Sequence, residues 1–101
     1  MLEQDLNVLL ASTFGMALKA QRYHWNIMGM NFYQLHEFYE DVYDDLYEHV
    51  DIIAEAVRSM GVFPAGWFAE YVELSQVAEE DATITNAEAQ LSGLIRANDV
   101  V

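Results

Sequence analysis

Apolar residues recur near helical spacing along most of this chain. In residues 2–27, Leu2, Leu6, Leu9, Leu10, Ala17 and Ala20 repeat with no intervening proline, which predicts one long amphipathic helix. Met28-Gly29-Met30-Asn31 breaks the pattern, with Gly29 a natural helix stop and Asn31 a natural N-cap. A second long helix is expected over residues 32–60, ended by Gly61. Two long helices joined by so short a turn must pack as an antiparallel hairpin. Beyond the Pro64 loop, residues 67–77 read as a short helix that crosses the hairpin. Glu79-Glu80-Asp81 with Thr83 and Thr85 reads as a polar connection. Asn86 then caps a further helix that begins Ala87-Glu88-Ala89-Gln90-Leu91 and has completed about three turns at Val101.

The fold class that follows is an all-α antiparallel helix bundle, in one domain over residues 1–101. It comprises two long helices, a short crossover helix and the start of a third long one. The apolar faces of the two long helices need partners, and the remainder is too short to supply two more helices of equal length. The expectation is either a C-terminally truncated chain or subunits that complete each other's bundle.

The second helix carries a sharper signal. At about 100° per residue, Asp41, Asp44, Glu48, Asp51 and Glu55 all fall within about 40° of Glu37. Leu35, Val42, Leu46, Val50, Ile53 and Val57 cluster on the opposite side. Like charges one turn apart destabilise a helix by a few tenths of a kcal/mol per pair. A ridge of six carboxylates without interleaved lysines is thus either a mildly unfavourable solvated face or a surface that binds cations.

Composition adds direction. There are 17 acidic residues against four basic ones, Lys19, Arg22, Arg58 and Arg96, for a formal net charge of −13. Such a surface repels nucleic acid phosphate and attracts cations, which argues against DNA as a partner. With no cysteine, disulfides and thiolate metal sites are both excluded. The acidic start is unlike a secretory signal, and the uncharged run over residues 6–18 is too short to span a bilayer. A soluble, cytoplasmic protein without membrane contact is expected.

Imidazole plus carboxylate, without thiol, is the ligand set that suits iron and zinc. His24 lies about a turn before the end of the first helix and His36 about a turn after the start of the second. In an antiparallel hairpin the two sit at nearly the same height. Glu40 stands one turn beyond His36 on the same side, giving a half-site of two imidazoles and a carboxylate. Asp51 and Glu55, one turn apart, are the natural complement, yet Asp51 is 15 residues past His36, roughly 22 Å along the axis. No single metal reaches both within one chain. A two-fold axis setting two copies of the second helix antiparallel brings Asp51 and Glu55 of one copy to His24 and His36 of the other, with two equivalent sites per dimer. His49 reads as a polar helix residue and Trp25 as a packing residue.

The segments His24-Trp25-Asn26, Phe32-Tyr33-Gln34-Leu35-His36 and Asp51-Ile52-Ile53-Ala54-Glu55 closely resemble the Dps family of mini-ferritins, DNA-binding proteins from starved cells. The spacings of 12, 15 and 4 between His24, His36, Asp51 and Glu55 match that family's ferroxidase motif, and the resemblance covers residues 2–98. It implies a four-helix ferritin-like subunit in a dodecameric homo-oligomer. It further implies oxidation of Fe(II), preferably by hydrogen peroxide, at paired irons between two-fold-related subunits, with ferric storage and protection from oxidative stress. In that reading His24, His36, Asp51 and Glu55 are catalytic, with Glu40 completing the metal ligands and Glu55 bridging the irons. Glu37, Asp41, Asp44 and Glu48 would pass iron to the mineral.

Three departures stand beside the match. The family's arginine after the motif glutamate is Ala56 here, which removes one partner of an intersubunit ion pair. The second half of the third long helix and all of the fourth are absent, and the family's three-fold pores draw on that region. The basic N-terminal tail with which some members bind DNA is missing. The competing readings are a non-catalytic, truncated ferritin-like assembly or interaction module, and a zinc-dependent structural dimer.

Overall fold

A computed structural model of the chain describes residues 2–79 and 84–101. The part of the expected polar connection over residues 80–83 lies outside the described residues. Among the described residues four helices follow in order: α1 (Leu2–Asn26), α2 (Phe32–Ser59), α3 (Phe68–Leu74) and α4 (Ala87–Val100). They occupy an elongated envelope of 49 × 24 × 21 Å. The all-α antiparallel architecture expected from the sequence is present, with two long helices, a short crossover helix and a further helix.

The α1–α2 hairpin forms because Gly29 takes φ 109°, a left-handed conformation that stops α1 and turns the chain. Gly61, at φ 87°, does the same after α2. Asn31 departs from expectation, since its side chain makes no cap hydrogen bond. The turn is closed by backbone instead, with Phe32 N–H donating to Gly29 O at 3.2 Å. Asn86 does cap α4, its Oδ1 accepting from Ala89 N–H at 3.0 Å.

α1 is the hub of the chain and packs against α2, α3 and α4. Its buried face runs through Leu10, Ala11, Met16, Ala17, Ala20 and Tyr23, whose many small side chains let neighbours approach closely. At Gly15 an added Cβ would lie 2.8 Å from Ser75 Oγ, so the connection after α3 rests directly on the helix backbone. The core joins Met16, Ala20, Tyr23 and Ile27 to Tyr39 of α2 and to Leu94 and Ala97 of α4. In α2 only Tyr39 and Val57 are fully buried. Leu35, Val42 and Leu46 pack on the core but stay half-buried, as do Val50 and Ile53. The predicted apolar face of α2 therefore exists, but this chain alone covers it incompletely.

The crossover is tied to α1 in rising register. Ala65 N–H donates to Asn7 Oδ1 at 2.9 Å, Gln76 N–H to Ser12 Oγ at 3.0 Å, and Lys19 Nζ to Ala78 O at 2.9 Å. Met28 N–H donates to Thr85 O at 3.0 Å, which starts α4 at the turn end of the hairpin. Such bonds each contribute about 1 kcal/mol and satisfy backbone groups that a loop would otherwise leave unpaired. α3 is shorter than expected. It begins where Glu70 Oε1 accepts from Gly66 and Trp67 N–H, and stops where Ser75 turns extended and its hydroxyl accepts from Val77 N–H. A serine bonding its own backbone ahead competes with the helix and wins. Among the described residues no helix is long and apolar enough to cross a membrane.

Candidate metal half-site

At the turn end of the hairpin, α1 runs out of helical partners. The carbonyl of His24 lies in the last turn, where no intrahelical N–H is guaranteed, and the Met28 N–H is directed to Thr85 instead. His36 fills the gap, its Nδ1–H donating to His24 O at 2.8 Å. The arrangement is reciprocal, with His24 Nδ1–H donating to His36 O at 2.6 Å. The two imidazoles stack face to face, with centroids 3.6 Å apart and planes inclined by 19°. Phe32 continues the stack on the far side of His36 at 5.1 Å, and Tyr43 meets His24 edge-on at 5.3 Å. His24 is buried and His36 half-buried.

These bonds decide the chemistry of the rings. A carbonyl oxygen only accepts, so both Nδ1 atoms carry hydrogen. In the neutral imidazole the lone pair then belongs to Nε2, and a hydrogen-bonded Nδ1–H fixes both tautomer and ring orientation, as metal-ligating histidines require. Glu40 Oε1 lies 3.8 Å from His24 Nε2 and supplies a carboxylate oxygen on the same side. The neighbouring Tyr43 phenol is pushed above its ordinary value by burial and then by the Glu40 and Asp44 charges.

The other two predicted ligands stand apart. Asp51 and Glu55 are exposed on α2, one turn from each other and roughly 22 and 28 Å beyond His36 along the helix. Among the described residues no three His, Cys, Asp or Glu side chains gather closely enough to hold a metal ion. The structure stacks His24 on His36 and sets Glu40 3.8 Å from His24, short of a closed three-ligand group, and leaves Asp51 and Glu55 apart from them. All six carboxylates of the ridge face solvent, and Glu37 is engaged by Tyr33, whose phenol is raised chiefly by that hydrogen bond. His49 is exposed, its Nδ1–H donating to Asp45 O at 2.8 Å, in keeping with a polar helix residue. Trp25 differs from its expected packing role, being 59% exposed. Its position on α1 turns it away from the α2 contact that buries Tyr23 and His24. Phe32 and Tyr43, which frame the imidazoles, were not anticipated, although they lie one turn before and two turns after His36.

Residues 3–99 match the family model of the ferritin-like domain. An uncharacterized protein of Haemophilus influenzae is 35% identical over 95 residues, covering 94% of this chain and 59% of that protein. The DNA protection during starvation protein of Brevibacillus brevis is 35% identical over 74 residues, or 73% of this chain and 50% of that one. The crystal structure of the DPS protein from Vibrio cholerae, described as a member of a broad superfamily of ferritin-like diiron-carboxylate proteins, superposes with a TM-score of 0.93. Its identity is 29%, covering 98% of this chain and 62% of that chain. The chain therefore spans roughly half to three-fifths of the length of these relatives.

Proposed function

This chain belongs to the Dps family of ferritin-like proteins, and from that premise we propose that it binds and oxidises Fe(II) and stores the ferric product in a homo-oligomer. The observation that carries the reading is the stacked pair His24 and His36. Both Nδ1 atoms are spent on backbone carbonyls, which leaves both Nε2 lone pairs free to bind a metal. Glu40 is the nearest oxygen donor. Asp51 and Glu55 of a second copy would complete the ligand set with oxygen donors.

Iron is the substrate here. Each Fe(II) gives up one electron, and hydrogen peroxide takes two electrons and two protons to become two waters, so a paired site releases no hydroxyl radical. Dioxygen is the alternative oxidant. The imidazoles bind Fe(II) as neutral, soft-borderline donors, and the carboxylates favour the harder Fe(III) and draw oxidation forward. The ridge from Glu37 to Glu48 concentrates the incoming cation.

Stopped-flow absorbance after mixing Fe(II)-loaded protein with hydrogen peroxide tests this. The His36→Ala/Glu55→Ala variant is expected to lose the fast phase entirely. Unchanged kinetics would remove the ferroxidase assignment.

A further inference from the structure

The histidine pair is one end of a continuous file of aromatic rings. From His24 it passes edge-on to Tyr43 at 5.3 Å, to Tyr47 at 6.1 Å, to Phe14 at 5.9 Å, and ends stacked on Tyr71 at 4.7 Å. The file leaves the half-site along the α1–α2 seam and crosses to α3 through Phe14 of α1. It is not simply core, because Tyr43, Tyr47, Phe14 and Tyr71 are all only half-buried. Tyr71 and Phe14 border an open groove between α1 and α3.

We propose that Tyr43, Tyr47 and Tyr71 form a relay that carries one-electron oxidising equivalents from the iron half-site to the groove beside α3. The relay takes its oxidant from the iron-oxidising reading above. When a single Fe(II) meets peroxide unpaired, it gives one electron and yields Fe(III), hydroxide and a hydroxyl radical. That radical takes a hydrogen atom from Tyr43, giving water and a Tyr43 phenoxyl. An electron from Tyr47 then restores the Tyr43 phenolate, which regains a proton from solvent as Tyr47 loses its own. Tyr71 repeats the exchange with Tyr47 across Phe14. The benzene ring of Phe14 is too hard to oxidise to be a station, so it serves as the bridge. A soluble one-electron reductant of the ascorbate class, entering the groove, returns Tyr71 to its phenol.

Local bonding suits each station. The Tyr47 hydroxyl donates to Gln21 Oε1 and the Tyr71 hydroxyl to Ala65 O, both at 2.9 Å, which fixes the rings. Burial pushes the Tyr47 and Tyr71 phenols above their ordinary value, so both rest as neutral hydrogen donors.

The chain has no native cysteine, so Glu40→Cys accepts a single ruthenium photo-oxidant one turn from Tyr43. Flash oxidation without iron, followed by nitroso trapping and peptide mass spectrometry, locates the radical. Adducts are expected on Tyr71. In the Tyr47→Phe background they should stop at Tyr43, and in Phe14→Leu at Tyr47, with circular dichroism confirming that both variants fold. Tyr71 adducts undiminished in both variants, or none on any of the three tyrosines, would overturn the relay. Repeating the trapping with Fe(II) and peroxide on the unlabelled chain separates the two readings. A relay that works under light while iron and peroxide give neither oxidation nor adducts keeps the relay and removes the ferroxidase.

Discussion

The two ends of α2 are built on opposite terms. At its start, His36 is locked by a hydrogen bond to a helix-end carbonyl, stacked between Phe32 and His24, and held in one tautomer. Farther along, Asp51 and Glu55 are exposed, on a helix whose apolar face is incompletely covered. The first region is finished by the chain's own fold. The second has the chemistry of a binding site without its surroundings. On the proposed reading, a single helix carries a preorganised half and an unfinished half of one site, and a second copy joins them.

The largest expected effect comes from separating the halves onto different chains. A His24→Ala/His36→Ala chain and an Asp51→Ala/Glu55→Ala chain should each be inactive alone. After subunit exchange, heterodimers carry one intact site and one with all four substitutions, so Fe(II) oxidation should return in part. Exchange verified by native mass spectrometry without any return of activity breaks the two-chain site.

Stability gives the next contrast. His36→Ala leaves the His24 carbonyl without its donor and removes the central ring of the stack, which should cost about 2 kcal/mol in urea unfolding. Glu55→Ala removes an exposed charge from a like-charged ridge and should change stability by less than about 0.5 kcal/mol. Equal losses for both would show that the carboxylate end is as integrated as the histidine end.

Tyr39, one turn after His36, sharpens the same contrast through pH. Burial raises its phenol to about 12, and among the described residues its hydroxyl has no hydrogen-bond partner. A folded value above the ordinary 10.0 means that the fold prefers the neutral phenol. Its contribution is fully present below pH 10 and is lost as pH rises through about 12, a loss of order 2 kcal/mol. Tyr39→Phe should abolish that alkaline sensitivity and stabilise the chain near neutrality by about 1 kcal/mol, measured by thermal unfolding across pH.

The smallest effect is expected with DNA. At a net charge of −13, duplex DNA should show no gel shift at physiological salt, before or after the ridge carboxylates are changed to glutamine. Salt-sensitive binding by the unaltered chain would mean that charge is not what governs its partners.

Much of this was legible in the sequence, for physical reasons. Helical periodicity and Gly29 were enough to place His24 and His36 at one height, because an antiparallel hairpin with a short turn admits little else. Asn86 was legible because an N-cap is a local device. Asn31 looked the same but is overruled by the backbone turn that Gly29 closes. The end of α3 was not legible, because Ser75 turns away from the helix at a place set by the closeness of Gly15 on α1. Nor were the reciprocal imidazole bonds, which depend on one carbonyl being orphaned when Met28 pairs with distant Thr85. The candidate ligands were picked out by residue types and spacing, whereas the orientation of the imidazoles lies in tertiary contacts.

The bonds between His24 and His36 also act on time. They join residues only 12 positions apart, and the entropy of closing a loop rises only with the logarithm of its length. The pair is expected to assemble with the turn, modestly favoured over the crossover and α4, whose contacts close over longer stretches of chain. If the proposed two-chain site holds, a growing chain carries its imidazoles in final posture while Asp51 and Glu55 await a second molecule. On the two-chain reading, the onset of iron chemistry is set by the rate of encounter between finished chains, so dilute newly made subunits are inert toward peroxide until they meet.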